Sequence, residues 1–375
     1  MINSPKAIIH LDRLIRNYEL IQKKYPNKKI MSVVKSNAYG HGGVNCAKKL
    51  EKFGCKSFAV FTVNEAIELR NAGIQSEILV FSRMDIDRLD EAIEYNLMLN
   101  ICDKSDINEI KRYVDKKGSS PLFHLKVDTG MTRLGVGMID IEDVLRSLKK
   151  LPQINCVGIY SHFSTADEGD LTYAYAQLEK FNSILKLANE IGISFDNIHC
   201  SNSGAIINID QNKMTHIRVG MLLYGAYPSN EVPKEISILP VMEFKASIVQ
   251  LRKVDAGTKV SYGGVYQTKC DTNIGVIQCG FADGLPRPWY DGGYISYKGR
   301  KFSIAGRICM DQFMVDFEEI SPNIGDEVLL FGENDTDLIK MESIADHIQS
   351  TPWVRTSGSK LRKYQSPRQL PLPFQ

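Results

Sequence analysis

Between residues 29 and 220 the chain repeats one unit: a short run of apolar residues, then a segment with helical spacing. The runs are IMSVV, SFAVFT, EILVF, LMLNI, LFHLKV, NCVGIY, NIHC and HIRVG. Runs that are apolar throughout, each returned by a helix, are what parallel strands with both faces covered require. Eight of them in about 190 residues fit a (β/α)8 barrel. A doubly wound open sheet has the same local signature and differs only in closure. The clearest helical segment carries Leu171, Ala174, Leu178, Phe181, Leu185 and Ala188, which make one apolar stripe. NEAIELRNAG ends at Gly73, a natural left-handed stop after a helix.

After Pro228 the texture changes. Residues 240–335 carry short or alternating runs (FKASIVQL, NIGVIQCG, YISYKGRKFSIAG, VLLFG) with turn signals such as Lys298-Gly299, and no helical pattern returns until about Ile339. This predicts a second, mostly antiparallel β-domain, with PSNEVPKE (228–235) as the linker. The expected division is a barrel over 1–238 and a β-domain over 239–375. The length of 375 residues agrees with about two domains at roughly 150 residues each.

Composition removes several classes of function. Forty-six basic against 44 acidic residues leave a net charge of +2, so no strong field points to nucleic acid or a membrane surface. No apolar run approaches the ~20 residues that span a bilayer. The first thirty residues lack the apolar core of a secretory signal, which makes the cytoplasm the expected compartment. The eight cysteines are scattered, with no Cys-x-x-Cys pair and no Cys/His cluster at metal spacing. They are expected to be thiols, and no metal is expected.

In a parallel barrel, functional groups gather at the C-terminal ends of the strands. Those ends carry Lys35, Lys126 with Asp128, His162, Ser201-Asn202-Ser203 and Arg218-Val219-Gly220. A lysine such as Lys35, after two valines, is costly to bury, and desolvation lowers its pKa toward that of an imine-forming amine. On position alone, a lysine snorkelling to solvent is the favoured reading. The following SNAYGHGG, with Tyr39, makes a loop that can pass close to a ligand. Ser203-Gly204 and Gly220-Met221 follow the seventh and eighth strands, where such barrels commonly bind phosphate. An imine-forming lysine opposite a phosphate cradle is the pattern expected for pyridoxal phosphate.

VVKSNAYGHG, LKVDTGMTRLGV, YSHFSTAD, SNSGA, RVGMLLYG, VSYGG, GFADGLPR and GRICMDQ occur in an order and spacing that resemble the alanine racemases, from about residue 5 to 320. The resemblance implies a homodimeric isomerase that uses pyridoxal 5′-phosphate and supplies D-alanine for cell-wall peptidoglycan. It implies Lys35 as the imine lysine and one acid–base group, with Tyr262 of the neighbouring subunit as the other. Inverting a stereocentre needs a proton removed on one face and returned on the other, so two bases must flank the reacting carbon. A free phenol titrates near pH ~10, so Tyr262 needs positive charge nearby. By resemblance Tyr39, Ser203, Gly220 and Met221 hold the phosphate, Asn202 lies beside them, His162 lies against the ring and Arg218 faces its nitrogen. Arg133 meets the substrate carboxylate and the cofactor's phenolic oxygen. Met310 and Asp311 stand at the substrate entrance. Lys126 matches a lysine often carbamylated in relatives, and reads equally as a plain amine paired with Asp128.

Two positions depart from the family pattern. Phe281 stands where relatives usually carry tyrosine, and Ser359 aligns with another tyrosine near the entrance. Lost bulk there would admit serine, lysine or arginine without excluding alanine. A decarboxylase on the same architecture would carry a reactive Cys-Asp where this chain has CMDQ, and would leave Tyr262 without a task. A non-enzymatic pyridoxal-phosphate carrier would resemble the barrel alone.

Overall fold

A computed structural model describes residues 5–349 and 362–365. Strand β1 (Lys6–Ile9) precedes a helix at Leu11–Lys24. The alternation then gives β2 (Lys29–Val33), β3 (Ser57–Val60), β4 (Glu77–Val80), β5 (Met98–Ile101), β6 (Leu122–Lys126), β7 (Cys156–Tyr160), β8 (Asn197–His199) and β9 (His216–Val219). These eight strands form one parallel sheet in the order β8-β7-β6-β5-β4-β3-β2-β9.

The ends of that order meet, which decides for the barrel over the open sheet. Thr215 N–H donates to Ile198 O at 2.9 Å. Ile198 N–H donates to Thr215 Oγ1 at 2.7 Å, and Arg218 N–H to Ser201 Oγ at 3.2 Å. In two of these three bonds a side-chain hydroxyl replaces a carbonyl at the closing seam. Outward-facing strand residues pack on the helices in the main core, while Met31, Val33, Ala59, Leu79, Met98 and Tyr160 fill the interior. The interior is partly polar. Gly158 on β7 leaves room for the His124 ring from β6, since a Cβ there would lie 2.7 Å from three ring atoms.

The helix at Thr172–Ile191 shows how a local pattern is overruled. Ala174, Phe181 and Ala188 are buried as the stripe predicts, but Gln177 and Ile184 are buried in place of Leu178 and Leu185, which sit half-buried at the edge. Gln177 explains the rotation. Its carboxamide oxygen accepts from Ser164 N–H (3.0 Å) and Oγ (3.1 Å), and its nitrogen donates to His162 O at 3.2 Å. The helix thereby holds the loop after β7.

The second sheet is built on β10 (Met242–Val254), followed by β11 (Lys259–Val260), β12 (Tyr266–Gln267), β13 (Thr272–Ile277), β14 (Tyr294–Tyr297), β15 (Arg300–Ser303), β16 (Phe313–Asp316), β17 (Glu327–Glu333), β18 (Leu338–Ile339) and β19 (Arg362–Gln365). The β11–β12 pair forms a small separate hairpin. Lys298 and Gly299 both take positive φ (51° and 81°), the two-residue turn that suits a twisted hairpin between β14 and β15. A short helix follows at Met341–His347. Strand β1 belongs to this second sheet, antiparallel to β10 and parallel to β19. The chain therefore starts in one sheet, runs through the barrel and returns. Buried Asn17 fastens the return: its amide donates to Leu223 O (3.1 Å) and Leu239 O (2.8 Å), and its oxygen accepts from Leu239 N–H (2.8 Å). Among the described residues no helix is long and apolar enough to cross a membrane.

The seam yields a test. Thr215→Val leaves the Ile198 amide without its acceptor and is expected to lower unfolding free energy by about 1–3 kcal/mol in a denaturant titration, with Thr215→Ser near the parent. Equal stability of the valine variant would contradict this account of closure.

Candidate active site

Lys35 follows the buried Val33 and Val34 at the mouth of the barrel. The next four residues, Ser36, Asn37, Ala38 and Tyr39, all take left-handed backbone angles (φ 52°, 56°, 53° and 50°). Each non-glycine residue so held costs roughly 1–2 kcal/mol, so the turn must be clamped. Ser36 N–H donates to Glu65 Oε1 at 2.6 Å, and Gly43 N–H to Asn37 Oδ1 at 2.7 Å. Glu65 Oε2 also accepts from Phe61 N–H (2.7 Å) and Thr62 N–H (3.1 Å), tying the ends of β2 and β3 together. The turn folds Tyr39 back toward Lys35, whose Nζ lies 6.0 Å from the Tyr39 ring centre and 6.0 Å from that of Phe61. Desolvation lowers the Lys35 pKa, nearby Arg133 adds to this, and Glu65 opposes it.

The Tyr39 hydroxyl approaches Gly220 so closely that a Cβ there would lie 2.8 Å from it. Leu222 N–H donates to Ser203 Oγ at 3.4 Å, bringing the loops after β8 and β9 together beside Met221. Asn202 caps the short helix at Ser203–Asn208, accepting from Ala205 N–H at 2.9 Å, and donates to Phe163 O at 3.2 Å.

Arg218 is buried in the barrel. Its Nη2 donates to Ser161 O (2.8 Å), Cys200 O (3.1 Å) and His162 Nδ1 (3.0 Å), and its Nη1 to His199 Nδ1 (2.7 Å). A guanidinium only donates, so both Nδ1 atoms accept. His199 then carries its proton on Nε2 and donates it to His124 Nδ1 at 3.0 Å. Asn197 Nδ2 lies 3.4 Å from His124 Nε2 on the far side of that ring. All three histidines are neutral: burial, followed by nearby positive charge, holds His162 and His199 well below the usual range, and burial above all brings His124 to about 3. Tyr160 stacks on His199 with ring centres 4.7 Å apart and donates to Asn100 Oδ1 at 2.8 Å.

Lys126 lies with Nζ 4.3 Å from the Tyr160 ring centre, and burial followed by Arg218 lowers its pKa to about 7. Among the described residues no ion pair joins it to Asp128. That carboxylate instead accepts from Gly130 N–H (2.9 Å) and Thr132 N–H (3.1 Å) and shapes the loop carrying exposed Arg133. Two amines, of Lys35 and Lys126, and two guanidiniums, of Arg133 and Arg218, thus act on one another across the mouth.

The remaining candidates form a second cluster, on the β-domain. Tyr262 is 67% exposed at the tip of the β11–β12 hairpin. Met310 is 57% exposed with Asp311 beside it. Phe281 lies against them, its N–H donating to Cys309 O (3.1 Å) and Ala282 N–H to Met310 O (3.0 Å). Ser359 is outside the described residues. Four functional residues escaped the sequence reading: Glu65, His124, His199 and Gln177. The period-2 placing of His124 and Lys126 on one strand was the available signal for a polar interior.

The Lys126 amine gives a pH test. It titrates near 7 in the folded protein and at about 10.4 unfolded. Between these values the unfolded chain binds more protons, so stability rises with pH through that window; the penalty is complete below pH ~7 and lifted by pH ~10.4. Lys126→Met should flatten this rise in unfolding titrations run in buffer free of carbon dioxide. An unchanged slope would contradict the buried neutral amine.

Residues 9–228 match the family model for the alanine racemase N-terminal domain, and residues 241–363 that for the C-terminal domain. Alanine racemase 2 of Caldanaerobacter subterraneus subsp. tengcongensis is 36% identical over 354 residues, 94% of this chain and 91% of that one. The solved alanine racemase of Streptomyces lavendulae, 30% identical, superposes with a TM-score of 0.91 over 98% of each chain. That of Bartonella henselae, solved with covalently bound pyridoxal phosphate, is 24% identical and shares the fold with a TM-score of 0.88 over 97% of this chain and all of the other. With both parts matched in order across nearly the whole length, the chain belongs to the alanine racemase family.

Proposed function

We propose that this racemase interconverts L- and D-alanine by a two-base mechanism with pyridoxal 5′-phosphate, in a homodimer whose sites are shared between chains. The observation that carries this reading is the meeting at one barrel mouth of desolvated Lys35, buried Arg218 and the close Tyr39–Gly220 approach. These residues fit the cofactor. Tyr39, Ser203 and the Gly220-Met221 backbone offer donors for a phosphate with Asn202 beside them, while His162 offers a neutral ring face. When bound, the cofactor supplies an aldehyde for imine formation and a conjugated ring that stabilises negative charge at the substrate α-carbon.

Lys35, its pKa lowered by desolvation, would hold the cofactor and afterwards move a proton on one face of the α-carbon. Arg218 would face the ring nitrogen and, as a donor that does not give up its proton, would leave that nitrogen unprotonated. Three neutral histidines make it the sole charge of its network. Arg133 binds the substrate carboxylate, with the Met310 backbone and Asp311 at the entrance. The Lys126 amine combines with carbon dioxide, releasing one proton and forming a carbamate whose charge fixes Arg133; the lowered pKa favours this.

Tyr262 is the second base, reaching the opposite face from the neighbouring subunit; its exposure on a hairpin tip supports this role. The division of labour is a cofactor barrel within 1–238 and a β-domain over 239–375, joined by strand β1, that completes the partner's site. A cytoplasmic role in providing D-alanine for peptidoglycan follows from the family. Phe281 leaves room for serine, whereas the Arg133 guanidinium at the mouth disfavours the long basic chains of lysine and arginine.

With L-alanine in heavy water, the purified holoenzyme is expected to lose optical activity, gain deuterium at the α-carbon and release no carbon dioxide. Serine should turn over more slowly, and lysine and arginine hardly at all. Lys35→Ala should lose both turnover and the cofactor's visible absorbance. Carbon dioxide release, or retained absorbance in that variant, would overturn the reading.

A further inference from the structure

We propose that Ser261 is a positioning residue that turns the Tyr262 phenol out of the β-domain, and this inference rests on Tyr262 being the second base. In an extended strand, alternate residues share a face. Val260 is buried with Ile274 and Ala305, so an ordinary strand would carry Tyr262 inward after it. Instead Tyr262 is exposed, and the break in alternation lies at Ser261, with φ 65° and ψ −176°. Essentially only glycine adopts that region without cost.

The serine is there for its hydroxyl. Its Oγ donates to Arg307 O at 2.7 Å, and its own carbonyl accepts from Gly264 N–H at 3.1 Å. Gly306, itself at φ 82°, lets the two segments approach, since a Cβ there would lie 2.7 Å from Ser261 Cβ. A glycine at 261 would adopt the turn at less cost but would lose the clamp. The clamp also registers the hairpin tip against residues 307–311, the segment that carries Met310 and Asp311. One side-chain hydrogen bond therefore fixes the direction of the phenol and its position relative to the entrance.

Two variants and one control separate this role from general support of the fold. If Tyr262 acts on one face only, solvent deuterium exchange at the α-carbon of L-alanine requires it, while exchange into D-alanine with retention requires Lys35. Ser261→Ala and Ser261→Gly are each expected to slow exchange into L-alanine by about tenfold or more, the effect of a misplaced base, and to leave exchange into D-alanine within about twofold. In thermal unfolding Ser261→Gly should melt above Ser261→Ala, reversing the usual order of glycine and alanine. Unchanged exchange into L-alanine, a parallel fall for both isomers, loss of cofactor absorbance in both variants, or alanine melting above glycine would overturn the proposal. Tyr262→Phe is the control. If it keeps exchange into L-alanine, the reading of Tyr262 fails; if it loses that exchange while both Ser261 variants keep it, the inference about Ser261 fails alone.

Discussion

A guanidinium buried inside a barrel must find an acceptor for its donors, or its charge is too costly to hold. Arg218 finds two carbonyls and two imidazole nitrogens, and this satisfaction organises the site around it. Because Arg218 donates to His162 and His199, both are held neutral. Because His199 is neutral, its remaining proton is passed to His124 across space that Gly158 leaves open. The same charge acts on Lys126 and helps to keep it a poised amine. A lysine in place of Arg218 could supply the charge but not the planar fork that meets these partners.

Around this fixed centre, the two proposed bases are delivered by backbone held in unfavourable conformations. The left-handed run from Ser36 to Tyr39 brings the Tyr39 ring beside Lys35 and its hydroxyl to Gly220. The positive φ at Ser261 turns Tyr262 outward. Glu65 clamps the first, through three backbone N–H groups, and Ser261 clamps the second through its own hydroxyl. Such strain persists where surrounding structure over-determines it, and here the barrel and the β-domain core do so.

The eight barrel strands were legible because burial on both faces writes itself as unbroken apolar runs. Their order along the chain then located Lys35, His162 and Arg218 at strand ends. What stayed hidden depends on distant partners. Strand β1 pairs with β10 and β19, hundreds of residues away, and nothing local marks it as part of the second sheet. Gln177 reads as the polar neighbour of a stripe until the loop it bonds is placed over it. The left-handed run contains no glycine that would announce it, and Glu65 looks like an ordinary helix-capping acid. Local patterns report burial and turn chemistry, whereas these features are set by contacts across the fold.

In the proposed mechanism the amine and the phenol come from different chains. Mixing Lys35→Ala and Tyr262→Phe proteins under conditions of proven subunit exchange tests that directly. A two-fold dimer with shared sites regains one intact site in each mixed pair, so racemisation should return to about a quarter of the parental rate at equal mixing. No recovery in the exchanged mixture would contradict the shared site.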